Sequence, residues 1–232
     1  MRLSYIKNNI RNLLYLGILS ILLIAFFTGC DNSDKDLIQF QISETGSNDI
    51  SLNGQNYSAM ENFIATDEGE KVGYAQFASN GSYDIYEIKG QSINDWILVK
   101  PSDEPGLTQW VCKNDSINLT LDNFETTEIK IMSLDERSTK ATINNKDDID
   151  SIVKAATSGA IVEDLVGSID GKDYFLYFIS SKYPGIAYRE GLVISKDSKY
   201  YYHQPGNKYI DVTDILKKFI NDSTAITPVK NR

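Results

Sequence analysis

His203 is the one histidine in the chain, and Cys112 is the one cysteine beyond the first thirty residues. A histidine-dependent triad or dyad would have to use His203. Its flanks, Tyr202 and Gln204, supply no nucleophile motif, and no Gly-x-Ser-x-Gly stretch occurs. A zinc site would need His203 with carboxylates and Cys112, without the closely spaced ligand pairs that mark such sites. Gly171-Lys172 has the end of a phosphate loop, but the glycine required five residues earlier is Val166. Asp147, Asp148 and Asp150 crowd one short stretch, where the positive end of a helix explains them. Paired carboxylates can hydrolyse glycosidic bonds without histidine, yet among 32 acidic residues no pair is marked out. The aromatic run Tyr200-Tyr201-Tyr202-His203 is the remaining candidate. On a strand, Tyr200 and Tyr202 share one face and Tyr201 and His203 the other. Exposed tyrosines there would offer a surface for a sugar ring or a protein partner; otherwise one pair packs under helices and the other lies half exposed. No metal and no cofactor are expected.

The N-terminus carries the clearest chemistry. Arg2, Lys7 and Arg11 precede an apolar run from Leu13 to Phe27, and Phe27-Thr28-Gly29-Cys30 closes it before the polar Asp31-Asn32-Ser33-Asp34-Lys35-Asp36. The run is nearer fifteen residues than the roughly 20 needed to cross a bilayer. The whole resembles a bacterial lipoprotein signal peptide, with Phe27, Thr28 and Gly29 as the lipobox before a cysteine that is lipidated. Phe27 stands where the family usually has Leu. The resemblance implies cleavage before Cys30 and acyl chains, such as palmitate, on its sulfur. Each buried methylene adds about 0.8 kcal/mol, so two or three chains hold stably where one does not. It also implies a chain on the outer, extracytoplasmic face of the cell membrane. Residues 31–36 then serve as a solvated spacer; their acids lack the Gly and distal Glu of a calcium loop.

Loss of residues 1–29 removes three positive charges and no negative ones. It leaves 20 basic and 32 acidic residues, a formal charge of −12. Such a surface does not bind nucleic acid or anionic headgroups by general electrostatics. With Cys30 acylated, Cys112 has no partner for a disulfide; in Gln109-Trp110-Val111-Cys112-Lys113 it reads as a small buried hydrophobe.

Six segments follow from these patterns. They are the signal peptide (1–29), the lipidated Cys with its linker (30–36), a β-rich domain (37–113), a polar connection (114–127), an α+β module (128–221) and a tail (222–232), with the two halves of the mature chain joined at the connection. The β-rich part shows short apolar or alternating runs separated by turns at Asn53-Gly54, Ser79-Asn80-Gly81-Ser82 and Pro101 to Gly106. In the module, Glu128 to Leu134 alternates, and Ile149, Ile152, Val153 and Ala156 recur at helical spacing between a capping Asn145 and Gly159. Asp170-Gly171-Lys172-Asp173 predicts a turn into the central strand Tyr174 to Ile179. Pro205-Gly206-Asn207 predicts another turn, and Val212, Ile215, Leu216, Phe219 and Ile220 predict a final helix from Asp211. The expected fold class is α+β, a β-rich meander followed by strand, helix, antiparallel meander and C-terminal helix, with helices on one face.

The lipobox, Tyr86-Glu87-Ile88-Lys89-Gly90 ahead of Trp96-Ile97, and the tyrosine-rich C-terminal meander together resemble small lipoproteins of low-GC Gram-positive bacteria. That resemblance implies no activity and no binding residue. The functional expectation is a membrane-anchored, non-enzymatic binding or accessory protein whose partner is an envelope ligand or another protein. The alternative is an envelope-polymer hydrolase working through paired carboxylates.

Overall fold

A computed structural model describes residues 37–42, 50–76, 81–103, 109–162, 165, 169–204 and 208–220, with the backbone alone at 169–173. The signal peptide, Cys30, the linker and the tail lie outside the described residues, as do parts of the turns expected at 79–82 and 101–106 and that at 205–207.

Short strands of period two dominate. The first eight are β1 (Ile38–Ile42), β2 (Ile50–Leu52), β3 (Gln55–Met60), β4 (Phe63–Ala65), β5 (Glu68–Gln76), β6 (Ser82–Ile88), β7 (Trp96–Pro101) and β8 (Trp110–Asn114). All but β4 close into a barrel in the order β1-β2-β3-β8-β7-β6-β5. Asn53 (φ 52°) and Gly54 (φ 79°) join β2 to β3 as the two-residue hairpin that Asn-Gly favours. Closure comes from a parallel pairing that sets Ile38 beside Gly73 and Phe40 beside Ala75. Side chains of alternate parity fill the barrel: Phe40, Ile50, Tyr57, Ile85, Ile97 and Val99 meet inside, with Cys112 among them at 1% exposure. The hydroxyl of Tyr57 donates to the carbonyl of Ile93 at 3.1 Å, so its burial leaves no polar atom unsatisfied.

The second half forms one long antiparallel sheet. Its strands are β9 (Glu128–Ser133), β10 (Thr139–Ile143), β11 (Ile161–Val162), β12 (Ile169–Ile179), β13 (Ile186–Ser195), β14 (Tyr200–Gln204) and β15 (Lys208–Asp211). They run in the order β10-β9-β12-β13-β14-β15-β11, and β4 adds itself beside β13. Helix α1 (Lys146–Ser158) starts where Asn145 accepts a hydrogen bond from the amide of Asp148. Its Ile149, Ile152 and Ala156 pack on the sheet's inner face. The opposite wall of this core is the outside of the barrel, through Ile88, Trp96, Leu98 and Val111.

The expected α+β class is therefore corrected. The described residues hold fifteen strands but only two α-helices, α1 and the four-residue α2 (Thr213–Leu216). The apolar spacing from Val212 to Ile220 does bury Val212, Leu216 and Ile220, but a single helical turn and irregular turns are enough to do it. A short helix gains too few bonds to repay its nucleation. Asp211 ends β15 rather than starting a helix. Residues 170–173, expected as a turn, continue β12 through an irregular register between Ile169 and Lys172. The connection at 114–127 is also more than a linker: Leu119, Leu121 and Phe124 are buried in the large core. Gly159 does follow α1, but at φ −68°. Its lack of a Cβ matters because one would meet Ile210 and the backbone of Ala155.

Candidate functional site

Of the residues singled out from sequence, Phe27, Thr28, Gly29 and Cys30 lie outside the described residues. The aromatic strand is described in full, and it is not a surface. Tyr200, Tyr201 and Tyr202 are 1%, 6% and 2% exposed. The two-face reading of this strand is observed, yet both faces are covered. Tyr200 and Tyr202 enter the large core, while Tyr201 packs with Leu165, Val193 and Tyr209 on the outer side. Segment 165 covering that outer side is a tertiary contact with no local sequence signal. His203 remains half-buried, stacked on Tyr209 with ring centroids 5.0 Å apart. Asp148 and Asp150 are held in ion pairs with Lys218 and Lys146.

A cleft of about 760 Å³ runs along α1 and the segment 121–127. Its apolar lining comes from Leu121, Ile149 and Val153; Thr127, Thr157 and Ser158 add hydroxyls. Charges of both signs border it, Lys146 and Lys154 against Asp122, Glu125 and Asp150. Glu125 adopts φ 57°, a conformation rare for a residue with a side chain, where the chain turns along the cleft. It pairs with Lys182. Beside it the hydroxyl oxygen of Thr126, also in the lining, is buried without a hydrogen-bond partner among the described residues. The three carboxylates are exposed.

A second constellation centres on a buried carboxyl. Strand β13 has β12 along one side for nearly its whole length. Its other side is shared: β4 pairs with Ile186 to Tyr188, and β14 takes over from Gly191. Glu190, 7% exposed, sits at this changeover and points into the core. Asn62, in the turn before β4, donates to Glu190 Oε1 at 2.7 Å and to the hydroxyl of Tyr188 at 3.1 Å. The backbone carbonyl of Asn62 accepts from the amide of Arg189 at 2.7 Å. The hydroxyls of Tyr188 and Tyr202 also hydrogen-bond Glu190. Burial raises the Glu190 carboxyl to about 7, against the opposing pull of the two tyrosine hydrogen bonds and the charge of Arg189. Burial likewise pushes the Tyr188 hydroxyl up to about 12 and that of Tyr202 higher still.

On the opposite face of the sheet, Arg189 Nη1 lies 2.8 Å from Glu136 Oε1, and its guanidinium is 5.1 Å from the ring of Phe175. Tyr177 donates to the same Glu136 carboxylate. Sequence reasoning missed both Glu190 and the cleft. Glu190 had a signal, because it shares the parity of Ile186, Leu192 and Ile194 and so stands where an inward apolar residue is expected. The cleft had none, since its two walls are brought together only by packing of α1. Comparison of the chain with family models, curated proteins and solved structures finds no match in any of the three.

Proposed function

We propose that this chain is a lipid-anchored binding protein of the extracytoplasmic membrane face, acting without enzymatic turnover, with Cys30 as the anchor and the cleft beside α1 as the ligand site. The observation that carries the binding role is the cleft itself. Its volume falls within the several hundred Å³ typical of small-ligand sites, and it joins an apolar floor to a few polar groups, as such sites do. Hydroxyls and charges of both signs suit a zwitterionic, hydroxyl-bearing ligand, of which a disaccharide-peptide fragment of the cell wall is one. The strained backbone at Glu125 and the Thr126 hydroxyl, unpartnered among the described residues, point to the same wall, since such departures concentrate at ligand sites. The anchor is supported by Phe27-Thr28-Gly29-Cys30 and the basic and apolar residues before it.

The binding role is tested by titrating the mature protein with a disaccharide-pentapeptide and following amide resonances. Shifts should cluster at 121–127 and along α1, and Val153→Arg should abolish them. An unperturbed cleft, or release of hydrolysed product, overturns the reading. The anchor is tested separately by labelling cells with alkynyl palmitate. Label should be incorporated into the wild type and lost in Cys30→Ala.

A further inference from the structure

We propose that Asn62, Tyr188, Glu190 and Tyr202 form a proton-controlled latch between the barrel and the sheet. A neutral Glu190 closes the changeover from β4 to β14, and an ionised Glu190 loosens it. Three pieces of chain meet here. Asn62 belongs to the turn that carries the chain from barrel strand β3 to β4. Tyr188 and Glu190 lie on β13, and Tyr202 on β14. Between Tyr188 and Gly191 no strand among the described residues pairs with β13 on this side. The side-chain cluster and the Arg189–Asn62 backbone bond therefore hold the join.

The surroundings leave the carboxyl little else to rely on. The residue opposite Glu190 in β12 is Leu176. Gln204, the last residue of β14, turns its amide to the carbonyl of Ala156 at the end of α1. Among the groups acting on the carboxyl, Arg189 carries the one full charge, and it projects to the other face, where Glu136 holds it. No ionisable side chain of α1 or the barrel is among them. A protonated carboxyl satisfies this site without charge, accepting from Asn62 and donating to a tyrosine hydroxyl. An ionised one has only neutral donors to replace its water.

The direction of the effect follows from linkage. The folded group binds its proton more tightly than the ordinary value of 4.5, with a midpoint near 7. Below about 4.5 both folded and unfolded chains carry the proton and the latch is at full strength. Between 4.5 and 7 the unfolded chain releases it first, so folding weakens as pH rises; above 7 the loss is complete. Physiological use of the latch rests on the extracytoplasmic reading above, in a compartment whose pH follows the surroundings. The latch itself rests on the hydrogen-bonded cluster and on the burial of its carboxyl.

The test compares the wild type with Glu190→Gln, which keeps the shape and cannot ionise. Urea unfolding between pH 5 and pH 8 should show the wild-type folding constant falling by roughly 10- to 100-fold more than that of the variant. Exchange protection of the Arg189 amide, bonded to Asn62, should fall with it in the wild type alone. Equal pH dependence in the two proteins overturns the latch. Carbon-detected NMR of the wild-type carboxyl decides the matter even if the variant fails to fold. A Glu190 midpoint near 7 supports the proposal, and one near 4.5 overturns it.

Discussion

The interior of the barrel and the layer between barrel and sheet are both buried, yet they are built from different chemistry. Inside the barrel the described side chains are apolar, with Cys112 packed as one of them and the Tyr57 hydroxyl reaching out to a carbonyl. In the layer outside, Phe63 and Phe178 pack against Tyr188, Phe178 also meets Tyr202, and these phenols join a buried carboxyl and an amide. A closed barrel satisfies its backbone by strand pairing all round and needs only volume within. The layer outside must join β4 to a sheet already occupied by β14, and the gap between these strands is filled by side-chain hydrogen bonds. A core that only fills space tolerates apolar exchange, whereas a core that spans a join depends on named partners.

Substitutions can break or sharpen this contrast. The largest effect is expected from Phe40→Ala in the barrel, a loss of about 3–5 kcal/mol in urea unfolding, independent of pH. Should that loss change with pH as the latch does, the barrel is not the purely apolar region described. Gly185→Ala comes next. Gly185 has φ 77°, and a Cβ there would meet the backbone oxygen of Lys89 and the side chain of Ile88. The left-handed conformation alone costs about 1–2 kcal/mol, and the displaced contact between barrel and sheet adds to it, read as a lowered Tm. Asn62→Ala should cost about 1–3 kcal/mol, the usual range for removing a hydrogen-bond donor from a buried carboxyl. Its loss should be greater at pH 8 than at pH 5, because the ionised carboxyl depends more on the donor; a loss flat with pH removes Asn62 from the latch. The smallest effect is expected at Lys146→Ala. Its pair with Asp150 is solvent-exposed, and unfolding should shift by no more than about 0.5 kcal/mol. One labelling experiment sharpens the barrel side: Cys112, at 1% exposure, should react with a maleimide only after denaturation.

Local features were legible where the chain's own neighbours decide them. Asn53-Gly54 made its hairpin, Asn145 capped α1, and Ile149, Ile152 and Ala156 faced inward, because each depends on residues within about one turn. The parity of Tyr200 and Tyr202 against Tyr201 was also readable, but their exposure was not. Burial of both faces required Leu165 on one side and the barrel-facing core on the other. The helical spacing from Val212 to Ile220 gave correct burial for part of that stripe and the wrong element, since burial can be met by turns.

By its amino-acid order alone this chain determined the strand-rich pattern of residues 37–113, its principal helix, its acidic balance and the basic and apolar run ending at Cys30. These are properties of composition and of contacts a few residues apart. The tertiary structure alone decided that β1 meets β5 to close a barrel, that β4 leaves it to join β13, and that Asn62 reaches Glu190 across 128 residues of chain. Each of these joins segments between which the chain carries no local preference. Which strand edges pair depends on how all the others are already satisfied, and that balance is a property of the assembled fold.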